Sequence, residues 1–310
     1  MNEPICSVII PTYNHAKYID RSIQCALDQT YPHVEVVVID DGSTDDTPER
    51  VKKYLDRIVY HRKSNAGLGA ARNTGIGLSK GKYLQFLDAD DTIEPEKLST
   101  QIKLLEENGD IAVVYSDCSC TDEEGRALDN TSYPLKDEEH PLPILLKRTL
   151  FSVHAPLVRK CAIVDAGRFD ESRIAQEDWQ LWLKMALQGC RFRYRPGNLA
   201  HYDGVGSTMT TNSELMYKRV NHLLETFLSD SEFQKLDRRM VREFTACQNI
   251  ALATRAYNNS WSRLARRHFL RAFRAKPEIM TWDYWLCIPK TYIREATNLV
   301  FGRSQSGPKG

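Results

Sequence analysis

The sequence lacks the features that would mark a secreted, membrane-spanning or strongly charged protein. Its 310 residues include eight cysteines but no Cys-x-x-Cys pair, so no disulfide framework is expected. No segment approaches the run of about 20 apolar residues that a membrane-spanning helix needs, and the N-terminus MNEPICSVII resembles no secretory leader. The net charge of +1 creates no overall field that would attract nucleic acid. We therefore expect a cytoplasmic protein with free thiols that is not an integral membrane protein and does not bind nucleic acid.

The first third of the chain alternates between strand and helix patterns. The β-branched runs CSVII (6–10) and VEVVVI (34–39) are separated by Ile19, Ile23 and Leu27, which have helical spacing. Continuously apolar strands separated by helices indicate a mostly parallel sheet that is covered by helices on both faces. The predicted fold class is therefore α/β, and ligands of such sheets bind at the carboxyl ends of the strands.

Three carboxylates follow one of these strands in the segment YLQFLDADDTIEP (83–95). Asp88, Asp90 and Asp91 repel one another and are costly to desolvate, so they need compensation by water, a cation or hydrogen-bond donors. A solvated turn that caps the next helix would explain such acids without a ligand. A ligand or cation site is the alternative interpretation.

Two further polar clusters follow the first two strands. They are PTYN (11–14) and DDGS (40–43). The carboxyl ends of parallel strands lie at one edge of a sheet, so we expect both clusters to lie near the acids at 88–91. Carboxylates at two strand ends favour a ligand-binding edge over unrelated turns.

Five segments together carry a family resemblance. They are PTYN (11–14), VVVIDDGSTDDT (36–47), NAGLGAARNTGI (65–76), YLQFLDADD (83–91) and AQEDWQLWLKMA (175–186). In order and spacing they resemble the inverting glycosyltransferases of family 2, over residues 5 to 210 approximately. The resemblance implies a GT-A fold, which is Rossmann-like, and a nucleotide-sugar donor.

The resemblance implies that the first two strand ends hold the nucleotide of the donor. Pro11, Thr12 and Tyr13 would line the base pocket. Asp41 would accept a hydrogen bond from a uracil imide N–H, which favours UDP, although Asp40 and Asp41 could instead cap the next helix.

The other implied donor contacts are Asn14, Asn65, Arg72 and Asp88. Arg72 would pair with the diphosphate through its guanidinium fork, and Asp88 would face the ribose or order its loop. The complete set of implied nucleotide-sugar ligands is Pro11, Thr12, Tyr13, Asn14, Asp41, Asn65, Arg72 and Asp88.

The segment Asp88-Ala89-Asp90 matches the Asp-x-Asp motif of the family, whose last aspartate binds a divalent cation. Asp90 is the implied ligand, and Mn²⁺ or Mg²⁺ suits it because these ions need few protein ligands beside phosphate oxygens. His201 is implied as a second ligand, although its spacing departs from the family pattern. Asp203 is an alternative to it, and so is a surface histidine without a role.

Glu177 and Asp178 begin a helical segment whose apolar stripe includes Trp179 and Trp182. An acidic pair at a helix start also suits the helix dipole. In the family this pair contains the catalytic base, a role that maps to Asp178, because displacement at the anomeric carbon needs a carboxylate to deprotonate the acceptor hydroxyl. Glu177 would position the acceptor or its loop. His154 precedes a segment that lines the acceptor side in relatives.

The chain has a helical pattern beyond residue 212. Residues 255–276 contain seven Lys or Arg and no Asp or Glu. A helix that packs on its neighbours and keeps a solvated basic face would explain this pattern, and so would peripheral contact with an anionic membrane surface. The predicted organisation is a catalytic domain (1–211), a C-terminal helical region (212–300) and a disordered tail (301–310).

The sequence therefore predicts an inverting glycosyltransferase that uses a divalent cation. It would move a sugar from a nucleotide-sugar, with UDP-sugar favoured, to a saccharide or lipid-linked saccharide acceptor. Bacterial surface polysaccharide or glycolipid synthesis is the expected setting, in the cytoplasm or at the inner face of the cytoplasmic membrane. The alternatives are a nucleotidyltransferase acting on a sugar phosphate and a non-catalytic sugar-nucleotide-binding module.

Overall fold

The computed structural model describes residues 5–121, 127–128, 132–172, 176–203 and 213–300. The chain divides into two compact units. Unit 1 comprises Met1–Leu145, Thr149–Arg173 and Glu177–Gly206, and unit 2 comprises Leu146–Arg148, Ile174–Gln176 and Ser207–Gly310.

The described strands of unit 1 form one sheet. They are β1 (Cys6–Thr12), β2 (Val34–Asp40), β3 (Val59–Arg62), β4 (Tyr83–Phe86), β5 (Thr92–Ile93), β6 (Ile111–Thr121), β7 (Ala127–Leu128), β8 (Pro156–Arg159) and β9 (Arg191–Asp203). Their order is β3-β2-β1-β4-β8-β6-β9-β5, with β7 paired to β6. The first four strands in that order are parallel, whereas β8 is antiparallel to both of its neighbours. The carboxyl ends of β1, β2 and β4 therefore lie at one edge of the sheet.

The helices of unit 1 cover this sheet. They are α1 (Ile19–Leu27), α2 (Thr47–Val51), α3 (Leu68–Leu78), α4 (Lys97–Glu107), α5 (Leu142–Leu145), α6 (Lys160–Asp165) and α7 (Glu177–Leu187). Every residue of β1 is buried. Gly75 lets α3 approach β1 closely, because a Cβ at this position would lie 2.3 Å from Cγ2 of Ile9. Trp182 of α7 is fully buried and contacts the rings of Phe151 and Phe169, which fixes the helix that begins at Glu177.

The described part of unit 2 is helical. Its helices are α8 (Ser213–Ser229), α9 (Ser231–Gln234), α10 (Arg238–Asn258), α11 (Ser262–Ala275) and α12 (Trp282–Val300). One apolar cluster contains Ala253 and Ala256 of α10 and Ala265, Phe269 and Ala272 of α11. The small alanine side chains let the backbones of α10 and α11 approach each other.

A buried polar contact also joins these helices. His268 of α11 is hydrogen-bonded to the hydroxyl of Tyr217 and to Oδ1 of Asn249. Burial lowers the pKa of His268 to about 4, and the charges of Arg271 and Arg267 add to this effect. His268 is therefore neutral near pH 7.

The predicted fold class, a GT-A-type α/β fold with a helical C-terminal region, is confirmed. All eight cysteines are free thiols, as expected. None of the described helices combines the length and the apolar character needed to cross a lipid bilayer. The predicted boundary at residue 211 and the tail at 301–310 lie outside the described residues, so the predicted domain limits stay predictions.

Candidate active site

The loops after β1 and β2 are held together by Asn14. Its backbone is left-handed, with a φ of 58°, a conformation that Asn tolerates better than most residues. Its Oδ1 accepts hydrogen bonds from the backbone N–H of Thr44 at 2.8 Å and of Asp45 at 3.3 Å, and its own N–H donates to Oγ of Ser43 at 3.0 Å. Asn14 therefore supports the shape of the strand-end edge, and its predicted contact with the donor stays a prediction.

The carboxylates at the end of β2 are buried and accept hydrogen bonds from other groups of the protein. Asp41 accepts hydrogen bonds from the backbone N–H groups of Ala66 at 2.9 Å and Gly67 at 2.7 Å, and Lys63 lies 3.2 Å from Oδ1. Asp40 accepts from the N–H of Ser43 and from the hydroxyl of Tyr60, both at 2.7 Å. Neither side chain caps α2, whose N-cap is Asp46. A uracil imide would have to share Asp41 with these donors.

Three groups near the end of β1 suit a nucleobase. Tyr13 is 46% exposed and offers a flat aromatic face. Thr12 is buried, and its Oγ1 has no hydrogen-bond partner among the described residues. An unpaired buried hydroxyl is unfavourable, and a base edge would satisfy it. Pro11 is buried beside them. Asn65, the other predicted donor contact, is exposed on the loop that precedes α3.

Arg72 of α3 joins two motifs that are far apart in the sequence. Its Nη2 donates to Oδ1 of Asp88 at 2.8 Å, and its Nη1 donates to Oε1 of Glu177 at 2.9 Å. Arg72 is buried, and its guanidinium also lies 5.3 Å from the ring centroid of Phe169. The two hydrogen bonds use two of its five N–H donors, and its buried Nε has no hydrogen-bond partner among the described residues. Its predicted contact with a diphosphate stays a prediction.

Asp90 differs from its neighbours because its carboxylate has no hydrogen bond or ion pair with any other described residue and accepts only from its own backbone N–H. Burial, together with the charges of Asp91 and Asp88, raises its pKa to about 7. Its backbone oxygen is fixed by a hydrogen bond from Arg21. A crowded carboxylate without a partner is stabilised by a cation, so this site fits the divalent ion that was predicted there.

The described residues contain no group of three or more His, Cys, Asp or Glu side chains that could enclose a metal ion. An Mn²⁺ or Mg²⁺ ion bound by Asp90 would take most of its ligands from phosphate and water. Both ring nitrogens of His201 are engaged, Nδ1 with Oγ of Ser119 and Nε2 with Glu94. A bond between His201 and a metal ion would displace Ser119 or Glu94 from its ring nitrogen. Its role stays a prediction, and the side chain of Asp203 lies outside the described residues.

A buried polar pair that the sequence did not reveal lies next to Asp90. Asp91 and His154 are both fully buried, and Nδ1 of His154 lies 3.0 Å from Oδ2 of Asp91. Burial alone would lower the pKa of His154, but the Asp91 carboxylate raises it above the ordinary value. Nε2 of His154 contacts Sγ of Cys118 at 3.0 Å. His154 therefore holds the loop that contains Asp90 and Asp91 through its buried contact with Asp91. It does not line an open acceptor surface.

Asp178 lies in the first turn of α7 and is only partly buried. Its Oδ1 accepts a hydrogen bond from the N–H of Trp179 at 2.7 Å, whereas its Oδ2 has no partner among the described residues. Nε1 of Trp179 donates to the backbone oxygen of Leu145 at 2.9 Å, which holds this turn in place. Asp178 thus offers one oxygen that is free to accept a proton, while Glu177 is engaged by Arg72.

Replacing Arg72 by Met is expected to destabilise the fold and to separate the two motifs. Removing one partner of a buried ion pair typically costs about 3–5 kcal/mol, and Asp88 and Glu177 would lose their shared counter-charge. Thermal and denaturant unfolding measure this change. The matched control is Arg50→Met, which removes an exposed ion pair with Asp20 and should cost less than about 1 kcal/mol. Equal effects of the two substitutions would contradict the role of Arg72.

The chain is similar to known glycosyltransferases in sequence. It is 36% identical over 190 residues to an uncharacterized glycosyltransferase of Rickettsia prowazekii, an alignment that covers 58% of this chain and 58% of the relative. The chain therefore matches a little over half of the length of that relative.

The fold is similar to that of solved structures that include TarS and the mannosyltransferase PcManGT. TarS residues 1–349 of S. aureus in complex with UDP-GlcNAc superposes with a TM-score of 0.71 at 20% identity, covering 97% of this chain and 93% of that one. The mannosyltransferase PcManGT of Pyrobaculum calidifontis in complex with GDP-Man and Mn²⁺ has a TM-score of 0.59 at 18% identity, covering 98% of this chain and 89% of that one. The model of the family described as "Glycosyl transferase family 2" matches residues 7–171. Together with the fold and the strand-end motifs, this match shows that the chain belongs to glycosyl transferase family 2.

Proposed function

We propose that this glycosyltransferase moves a sugar from a UDP-sugar to an acceptor hydroxyl in a single inverting displacement. The observation that carries the proposal is that unit 1 contains two carboxylates with oxygens that bind no other described residue. Asp90 binds no other side chain among the described residues and suits a cation, and Asp178 has one oxygen available to take a proton. TarS binds UDP-GlcNAc and PcManGT binds GDP-Man with Mn²⁺, which supports the donor class and the use of a divalent cation.

The donor would bind at the carboxyl ends of β1, β2 and β4. Thr12 and Tyr13 would hold the base, with Asp41 accepting from its imide. Asp90 would hold Mn²⁺ or Mg²⁺, which when bound supplies positive charge that stabilises the departing diphosphate. Arg72 would keep Asp88 and Glu177 in fixed positions through its two hydrogen bonds.

Asp178 would remove the acceptor proton as the acceptor oxygen attacks the anomeric carbon. Its carboxylate is held by the N–H of Trp179, so its second oxygen has a defined direction. A base on one face of the sugar and a leaving group on the other produce inversion at the anomeric carbon. We further propose a cytoplasmic enzyme of bacterial surface polysaccharide or glycolipid synthesis, with residues 1–211 as the catalytic domain.

A panel of sugar nucleotides tests this function. The full chain is incubated with UDP-, GDP- and dTDP-sugars, with and without Mn²⁺, and with a mixture of saccharide acceptors. We expect metal-dependent release of nucleoside diphosphate from a UDP-sugar. In parallel incubations with sugar phosphates and nucleoside triphosphates, formation of a sugar nucleotide would identify a nucleotidyltransferase. Tight binding without any release would identify a binding module.

A further inference from the structure

The last two helices of unit 2 carry large apolar side chains that are exposed. Trp282, Leu286 and Ile293 of α12 are 82%, 54% and 66% exposed. At 100° per residue these positions and Trp285 and Pro289 fall within an arc of about 100°. The α12 helix thus has one apolar stripe that faces away from the core of its unit.

The preceding helix carries a row of arginines. Arg267, Arg271 and Arg274 of α11 are exposed and follow one another at helical spacing. Leu270, which is 41% exposed, lies among them. Residues 262–293 contain seven Lys or Arg but only two acids, so this part of unit 2 attracts anions.

Two ring contacts hold α11 and α12 side by side. The guanidinium of Arg266 lies 4.0 Å from the ring centroid of Tyr292, and Phe273 contacts Trp285 with ring centroids 5.2 Å apart. We define the α11–α12 face by its exposed residues. They are Arg267, Leu270, Arg271, Arg274, Trp282, Trp285, Leu286, Tyr292 and Ile293.

We propose that the α11–α12 face docks on the surface of an anionic lipid bilayer. Trp282, Leu286 and Ile293 would enter the boundary between headgroups and acyl chains, where Trp and Tyr are favoured because their rings are apolar with a polar edge. The arginines would contact anionic headgroups while their stems stay on the apolar surface. The sequence alone indicated only the basic helix, and the apolar stripe on α12 supplies the part that inserts.

Charge favours a bilayer over a second copy of the chain. A twofold contact through α12 would bring the arginine rows of two copies toward each other, and like charges at an interface are unfavourable. An anionic bilayer neutralises the same rows. The inference concerns unit 2 and does not depend on the donor chemistry proposed for unit 1, although it would bring the enzyme to lipid-linked acceptors.

Co-sedimentation of the full chain with phosphatidylcholine vesicles, with and without phosphatidylglycerol, tests the proposal. Binding should require phosphatidylglycerol and weaken as salt screens the charges. The triple substitution Arg267→Gln, Arg271→Gln, Arg274→Gln should lower the affinity roughly 100-fold. The triple substitution Trp282→Ser, Leu286→Ser, Ile293→Ser should lower it by at least about tenfold. Brominated lipid should quench the tryptophan fluorescence of the unsubstituted chain, and this substitution should reduce the quenching.

Matched controls are available in unit 1. Leu55→Ser with Leu78→Ser removes exposed apolar side chains, and Arg50→Gln with Lys52→Gln and Lys53→Gln removes exposed charges. Both sets should leave vesicle binding unchanged. Three outcomes would overturn the proposal: no binding to anionic vesicles, binding that survives the apolar triple substitution, or a dimer in solution that this triple substitution dissociates while vesicles are not bound. Unfolding curves of each variant verify that it is folded.

Discussion

Asp178→Asn is expected to remove most of the sugar transfer while donor binding stays unchanged. The amide can still accept the hydrogen bond from Trp179, so the turn should keep its shape, but it cannot take a proton at neutral pH. Loss of a general base typically lowers the rate about 10²- to 10⁴-fold. The loss should appear in kcat and not in donor affinity, because the donor is held at the strand ends. Steady-state kinetics with UDP titrations measures both quantities.

Glu177→Gln is the matched comparison for Asp178→Asn. Because Glu177 binds Arg72 at 2.9 Å, its amide should weaken the bridge to Asp88 and so lower stability as well as rate. Asp178→Asn should leave the unfolding curve nearly unchanged. Transfer at near wild-type rate by a folded Asp178→Asn variant that binds UDP-sugar normally would contradict the assignment, and Glu177 would then be the first alternative.

Asp90→Ala is expected to abolish the metal-dependent part of nucleotide binding. Changes in groups that only support metal ligands typically cost 10- to 100-fold in metal affinity, so loss of the ligand itself should cost at least about 100-fold. Removing this crowded carboxylate should not lower the melting temperature of the metal-free protein, because its charge is repelled by Asp91 and Asp88. Calorimetric titration of UDP with Mn²⁺ measures the affinity.

A chelator should reproduce the effect of Asp90→Ala in the wild-type protein. Asp28→Ala, which removes an exposed aspartate from the C-cap of α1, is the matched control and should bind UDP and Mn²⁺ normally. Full activity in excess EDTA, or in the Asp90→Ala variant, would rule out the metal site.

Much of the fold of unit 1 follows from local patterns that the sequence displays. The predicted strands at 6–10 and 34–39 are β1 (Cys6–Thr12) and β2 (Val34–Asp40), and the helical spacing of Ile19, Ile23 and Leu27 belongs to α1 (Ile19–Leu27). Hydrophobic periodicity determines these elements, and a parallel sheet brings its strand ends together whatever the details of packing. The grouping of polar clusters at one edge could therefore be predicted before any side-chain position was known.

The partners of individual side chains could not be predicted in this way. Arg72 and Glu177 are 105 residues apart, and the sequence suggested a diphosphate as the partner of Arg72 because a guanidinium suits phosphate and carboxylate equally well. The sequence placed His154 only before a segment that lines the acceptor side in relatives, and it did not show that His154 is buried against Asp91. Asp91 looked like a turn residue, since a sequence does not show which carboxylates fold inward. Long-range pairing of polar groups depends on the completed tertiary structure.

The anomeric configuration of the product tests the central claim most directly. A UDP-sugar carrying ¹³C at the anomeric carbon is supplied to the full chain with Mn²⁺ and the acceptor found in the panel, and the product is followed by NMR as it forms. A single displacement with Asp178 as base converts the α-linkage of the donor into a β-linkage in the first product observed. An α-linked first product would contradict the single displacement and require a different mechanism at this site.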